Sequence, residues 1–203
     1  MQFDYKDCIF ITVDAQRIFF DGYLGATKAL GALESLRERF AAQKVAMCQV
    51  HAEIFAFDDM LGDDAAERQH HLQRLLPELP GETLIGKFEC APMDNPQFED
   101  MLLARRPRAV VLGGNFLDVC VLGTARHAQD ILFEATGQDP AVFIATDCGL
   151  AFDNLNGLTG TQGAKIHQIK SADISFGQNG LSIGLPQGSR PVFVPSNHLA
   201  PHA

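Results

Sequence analysis

Apolar positions along the chain fall into two alternating patterns. Cys8–Val13 (Cys-Ile-Phe-Ile-Thr-Val) is a short, nearly continuous apolar run stopped by Asp14, as expected of a strand buried on both faces. Residues 27–42 instead place apolar side chains at 29, 30, 33, 36 and 40, the spacing of a helix with one buried face. The same reading predicts a strand over 44–50, a helix over 64–76 ended by Leu79-Pro80-Gly81-Glu82, and a short extended piece over 83–86 that leads into Lys87. Asn95 before Pro96 reads as an N-cap, with a helix running to about residue 104. A strand over 108–113, a long helix over 119–136 and a strand over 141–146 follow. Beyond Phe152 the pattern weakens: 154–163 is rich in Gly, Asn and Thr, and 170–194 reads as irregular or short β pieces.

Strand–helix alternation with continuously apolar strands predicts an α/β fold, a three-layer doubly wound (Rossmann-like) sheet, mostly parallel, with helices on both faces. Residues 1–203 are expected to form a single domain, with 170–203 an irregular C-terminal extension. Ligands of such sheets sit beyond the C-terminal strand ends, where the strand order switches. Asp14, Asp147 and, through the Gly113-Gly114 turn, Cys120 stand at or just after such ends. On its own segment Cys120 has two readings. It is either a small buried hydrophobe or a thiolate favoured by the start of a helix.

Composition removes several classes. A net charge of −9, from 25 acidic and 16 basic residues, disfavours nucleic acid and anionic membrane as partners. The dense basic spot Arg105-Arg106-Pro107-Arg108 falls at a helix-to-strand handover and reads as a solvated helix end. Five cysteines without a CxxC indicate neither a zinc knuckle nor a dithiol redox pair. The N-terminus lacks the order of a signal peptide, and no apolar run approaches the roughly 20 residues that span a bilayer. A cytoplasmic location is the expectation.

Four stretches in order carry a resemblance. They are Val13-Asp14-Ala15-Gln16 with Phe19 and Phe20, Lys87 ahead of Pro96–Leu102, the block 110–128 containing Asp118-Val119-Cys120-Val121 and Thr124-Ala125, and Phe143-Ile144-Ala145-Thr146-Asp147. Together they resemble the isochorismatase-like cysteine hydrolases, whose members include nicotinamidases, N-carbamoylsarcosine amidohydrolases and ureidoacrylate hydrolases. The resemblance implies Cys120 as nucleophile, Asp14 as the base that takes its proton, and Lys87 as the cation beside both. A free thiol is only a few per cent thiolate at neutral pH, so the chemistry needs such neighbours. Lys87 is expected to lower the thiol pKa and keep Asp14 ionised. By the same resemblance the N–H groups of Cys120 and Leu117 would form the oxyanion hole, with a cis peptide at Phe116–Leu117.

The nicotinamidase relatives hold a metal through an Asp-x-His segment after the second strand. Here Gln49 takes the aspartate position ahead of His51, and His70-His71 reads as a solvated helix face, so neither metal nor cofactor is expected. A nucleophilic cysteine points to acyl chemistry on a C–N bond of a small amide, carbamoyl or ureido compound. Gln16, Phe19, Phe20, His51, Phe55, Phe88 and Phe116 are the candidate pocket residues. The family also suggests a homo-oligomer, dimer or tetramer, with the C-terminal tail as a contact between subunits. Two alternatives stay open: a catalytically inactive binding or scaffold protein on this fold, and a vinyl-ether hydrolase of the isochorismatase type.

Overall fold

The computed structural model describes residues 1–53, 64–93, 95–151, 164–185 and 192–194. Its main sheet contains β2 (Cys8–Val13), β3 (Ala46–Ala52), β4 (Thr83–Lys87), β5 (Ala109–Gly114), β6 (Ala141–Ala145), β7 (Ala164–Ile169) and β10 (Val192–Val194). Six of these run parallel in the order β4-β3-β2-β5-β6-β7, and β10 closes the β7 edge antiparallel. The first two crossovers step one way from β2 and the next three step the other way. The order therefore reverses between β2 and β5, the place where an open α/β sheet opens a crevice.

Side-chain alternation divides the strands between two cores. Phe10, Val111 and Phe143 point to the layer of α2 (Ala26–Ala42), where they join Leu33, Leu36 and Phe40, and the rings of Phe10 and Phe40 stack at 4.7 Å. Ile9, Ile11, Val110 and Leu112 point the other way, into the core of α4 (Pro96–Arg105) and α5 (Leu122–Thr136). Full burial of each such side chain contributes about 1.5–3 kcal/mol. Asn95 caps α4 as expected, its side chain accepting from the Gln97 N–H.

Three expectations are corrected. The helix predicted over 64–76 is only α3 (Ala65–His71), capped by Asp64. Its continuation is pulled into an extended strip: Leu75 N–H donates to the Ala15 carbonyl, Arg17 N–H to the Gln73 carbonyl, and Arg74 bridges Gln16. Pairing with the loop after β2 outweighs helical spacing there. The segment after residue 152 regains strand structure in β7, which the sequence pattern did not reveal.

Residues after 170 are not simply irregular either. Beside β1 (Gln2–Phe3), β8 (Ile174–Phe176) and β9 (Leu181–Ile183) build a separate antiparallel sheet in the order β1-β9-β8. Gly180 permits this approach, since a Cβ there would fall 2.3 Å from the Phe3 carbonyl oxygen. The strands are too short to show a period of two, so the N-terminus supplies the pairing that orders them. Among the described residues no helix is long and apolar enough to cross a membrane.

Candidate active site

The crevice between β2 and β5 is closed by backbone before any side chain enters it. Gly114 ends β5 at φ 128, and a Cβ there would sit 1.9 Å from the Val13 carbonyl oxygen. Asn115 N–H donates to that carbonyl at 3.0 Å. The Asn115 side chain donates to the Phe19 carbonyl and accepts from the Leu150 N–H at 2.7 Å. One fully buried amide thus ties together the loops that follow β2, β5 and β6. The chain then enters a π turn, Leu117–Val121, whose Val121 N–H reaches the Phe116 carbonyl at 3.0 Å, and Cys120 lies within it.

Asp14 follows β2 with φ 50, a left-handed conformation uncommon outside glycine and held here by its N–H bond to the Val50 carbonyl. Lys87 ends β4, two strands away. Strands stand about 4.8 Å apart, so only a long side chain crosses that span. Its Nζ lies 2.8 Å from Asp14 Oδ2, and both side chains are wholly buried. The ammonium also donates to the carbonyls of Glu89 at 2.9 Å and Cys90 at 3.3 Å, which gives each of its three protons a direction. Cys120 is buried, and the charges of Asp14 and Lys87 both act on its thiol.

Burial decides the protonation of this cluster. It raises the Asp14 pKa more than the Lys87 charge lowers it. The Cys120 thiol is pushed up to about 12, first by burial and then by the Asp14 charge, with Lys87 opposing both. Lys87 stays cationic: burial lowers its pKa, and Asp14 and the Cys120 sulfur together outweigh burial. Lys87 lowers the thiol pKa in the expected direction, but burial and the Asp14 charge outweigh it.

Asp14, Lys87 and Cys120 are brought together, while other expected residues take different places. The cis peptide lies at Asn115–Phe116, one residue earlier than expected. Leu117 is withdrawn from the oxyanion hole because its N–H donates to the Leu150 carbonyl at 2.7 Å. Gln16 is buried at the crevice, but its amide is committed to backbone: it donates to the carbonyls of Ala52 and Leu72 and accepts from the Ala52 N–H. That makes it a clamp on the end of β3 instead of a free substrate donor. Phe20 belongs to the core under α2, and Phe19 packs edge-on against Phe116 with centroids 6.0 Å apart. Phe88 is exposed, and Phe55 lies outside the described residues.

Among the described residues, His51 and Gln16 of the expected pocket line a large cavity, of about 990 Å³, shared with Ala52, Glu53, His70 and Arg74. Arg74 was not foreseen. Its Nη1 donates to Gln49 Oε1 at 3.2 Å, beside His51. The signal for it was hidden in the strip that pairs with Ala15 and Arg17, which reads as helix in the sequence. His70 and His71 sit on a helix with no buried residue, and His71 pairs with Glu67 one turn away at 3.7 Å.

Comparison with known proteins agrees with this geometry. N-carbamoylsarcosine amidase from Thermoplasma acidophilum superposes with a TM-score of 0.64 at 18% identity, covering 83% of this chain and 99% of its own. Nicotinamidase from Bacillus subtilis gives a TM-score of 0.59 at 15% identity, over 74% and 90% of the two chains. Pyrazinamidase of Pyrococcus horikoshii, solved in complex with zinc, gives 0.58 at 16% identity, over 72% and 88%. At such identities the likeness establishes the fold alone. No curated protein sequence matches the chain significantly. The family model described as the isochorismatase domain matches residues 8–158, which takes in β2, β4, the π turn and the crevice between them. On the strength of that span, the chain belongs to the isochorismatase family of hydrolases.

Proposed function

We propose that the protein is a cysteine hydrolase that cleaves an amide, carbamoyl or ureido C–N bond of a small molecule without using a metal. The observation that carries this reading is the buried Asp14–Lys87 pair at 2.8 Å, whose charges act on the buried Cys120 thiol. A buried ion pair is a poor source of stability, and hydrophobic residues of similar volume would serve the fold as well. Its place at the switch point, on a thiol, is explained by chemistry.

In the proposed reaction Asp14 accepts the Cys120 proton as sulfur attacks the carbonyl carbon. Lys87 offsets the negative charge that moves through the cluster. The Cys120 N–H, in the turn that starts the α5 helix, is placed to donate to the oxyanion, a contact typically worth on the order of 3 kcal/mol. The tetrahedral species breaks its C–N bond as Asp14 returns the proton to the leaving nitrogen, leaving a thioester on Sγ. Water then attacks the thioester and gives a proton to Asp14. The C–S bond breaks, and that proton returns to sulfur.

The chemistry of the donors next to His51 supports the metal-free reading. Gln49 Oε1 is taken by the Arg74 guanidinium, whose charge lowers the His51 pKa after burial has already done so. A guanidinium there opposes a divalent cation.

The test is ammonia release from a panel of nicotinamide-like, carbamoyl and ureido amides, with isochorismate as contrast. Hydrolysis of at least one amide that is lost in Cys120→Ala is expected. Turnover of isochorismate alone, or of nothing, would end this reading. We also propose self-association. Its support is a fully exposed Leu24 with Tyr23, which packs on Phe116, and Val119, next to Cys120, also open to solvent. Solution scattering that gives a monomer would remove this second proposal.

A further inference from the structure

We infer that Arg74 and His51 form a subsite for an anionic group, so that the substrates are small amides bearing a carboxylate away from the scissile bond. This rests on the hydrolase reading above and specifies its substrate class.

The subsite is a built one. The backbone of Arg74 is stitched opposite Gln16, two residues past Asp14, by the Leu75-to-Ala15 and Arg17-to-Gln73 hydrogen bonds. Its side chain is thereby delivered to the C-terminal end of β3, where Nη1 rests on the side chain of the buried Gln49. A guanidinium has five N–H donors in a planar fork, and Gln49 takes one of them. Among the described residues no carboxylate forms an ion pair with Arg74. Among the described residues the fork's charge is thus unmatched at the cavity it lines, and the ligand shape that satisfies it two bonds at a time is a carboxylate.

His51 supplies the second donor. It lines the same cavity and is half-buried, and of the charges around it that of Arg74 acts most strongly, ahead of Glu53 and Lys87. A neutral imidazole beside one guanidinium suits a monoanion; a phosphate dianion would ask for a second cation. Glu53 is the carboxylate among the described lining residues, and its side chain lies over Gly86 of β4, where a Cβ would fall 1.7 Å from Oε1. The cavity lies beside the proposed reacting groups, though none of them lines it. Ala52, which lines it, is the register partner of Lys87, and His51 feels the Lys87 charge directly. A carboxylate on Arg74 would thus hold the far end of a substrate whose carbonyl lies towards Cys120.

Paired substrates test this. Ammonia release is measured for N-carbamoylglycine against its ethyl ester, and for succinamate against succinamide, in the wild type and in Arg74→Gln, Arg74→Lys and Arg74→Glu. The expected result is a kcat/KM at least tenfold higher for each anionic partner. Arg74→Gln should bring that ratio to about one, Arg74→Lys should restore part of it, and Arg74→Glu should place the neutral partner ahead. Calorimetric titration of succinamate and succinamide into Cys120→Ala reads binding apart from chemistry. Equal rates and equal binding for the two partners would overturn the subsite and leave the hydrolase reading standing. Arg74-dependent binding of succinamate without hydrolysis of any amide would uphold the subsite and sink the hydrolase reading. Neither binding nor turnover of any anionic partner would overturn the subsite outright.

Discussion

Arg37 and Glu82 meet beneath α2, and Lys87 and Asp14 meet at the end of the sheet; both pairs are sealed from water. Their surroundings differ. Arg37 grips Glu82 through two nitrogens and also donates to the Pro77 carbonyl, while Glu82 accepts the Leu79 N–H at 3.1 Å. Every face of that pair is matched by a fixed group, so no proton has anywhere to go. Asp14 faces one ammonium and one thiol, and its second partner is the atom that must give up a proton. Residue choice follows the same division. A guanidinium is permanently charged and geometrically rigid, whereas an ammonium is a compact charge on a stem long enough to cross two strands. The first pair locks α2 to the entry of β4. The second is left with spare acceptor capacity, and that capacity is the function we assign to it.

The largest expected effect breaks the comparison on activity. Cys120→Ala and Asp14→Asn should each lower kcat for the amide substrate by at least about a thousandfold, as removal of a member of a coupled nucleophilic unit does. Glu82→Gln should leave kcat of the folded protein near that of the parent. Equal losses from Glu82→Gln and Asp14→Asn would mean that the two pairs do not differ in role.

Stability should show the opposite ranking. Glu82→Gln leaves the Arg37 charge buried without its partner, a loss of about 3–5 kcal/mol that lowers Tm by roughly 10 °C. Replacing the whole Asp14–Lys87 pair by Leu and Met should cost less than Glu82→Gln in calorimetry, because two desolvated charges disappear together against the lost partner of the Glu89 and Cys90 carbonyls. The matching replacement of Arg37 and Glu82 by Met and Leu should stay destabilising, because the Pro77 carbonyl and Leu79 N–H lose their partners. A stabilised Arg37–Glu82 replacement would contradict the distinction.

Legibility in the sequence follows how local each determinant is. β2 is found to the residue because six successive buried side chains carry its signal, and α4 is found because Asn95 and Pro96 announce its start. The parallel sheet with its ligand end at the C-terminal strand ends follows from alternation, whereas the strand order that opens the crevice between β2 and β5 is seen only in the structure. The three side chains that meet at the site, Asp14, Lys87 and Cys120, were legible through family resemblance. What stayed hidden depends on partners distant in sequence. The strip around Arg74 has helical spacing but pairs with the loop after β2. β8 and β9 are three-residue strands ordered by the N-terminus. The loss of the Leu117 N–H is set by Leu150, 33 residues further on. For the sulfur, only the direction of the Lys87 effect was legible. Spacing places a lysine beside it but does not report how completely the site is buried.

Alkaline pH probes that burial. Cys8, Cys120 and Cys148 are each raised from the ordinary 9.0 to about 12, and Cys48 is raised as well, burial leading in every case. Between pH 9 and 12 the folded protein holds protons that the unfolded chain has released, so unfolding free energy falls as pH rises. The contribution of each thiol is fully present below pH 9 and gone by about pH 12, at up to about 1.4 kcal/mol per pH unit. Urea titrations at pH 8, 9 and 10 should show a declining midpoint, less steeply in Cys120→Ala. A flat midpoint would mean that the thiols are not desolvated.

The smallest effect separates a resting thiolate from one made on demand. With the Cys120 thiol pushed up to about 12, iodoacetamide at pH 8 should label the exposed Cys90 before Cys120. Asp14→Asn removes the charge that, after burial, does most to raise that thiol, and leaves Lys87, which lowers it. Labelling of Cys120 should therefore rise in this variant, even as hydrolysis collapses. Lys87→Met should slow labelling further. The two readouts move in opposite directions only if Asp14 acts as a base during turnover and as a repelling charge at rest. Were Asp14→Asn to slow labelling and hydrolysis together, the proton would already reside on Asp14, and the Asp14–Lys87 pair would serve a standing thiolate, with no proton held for transfer.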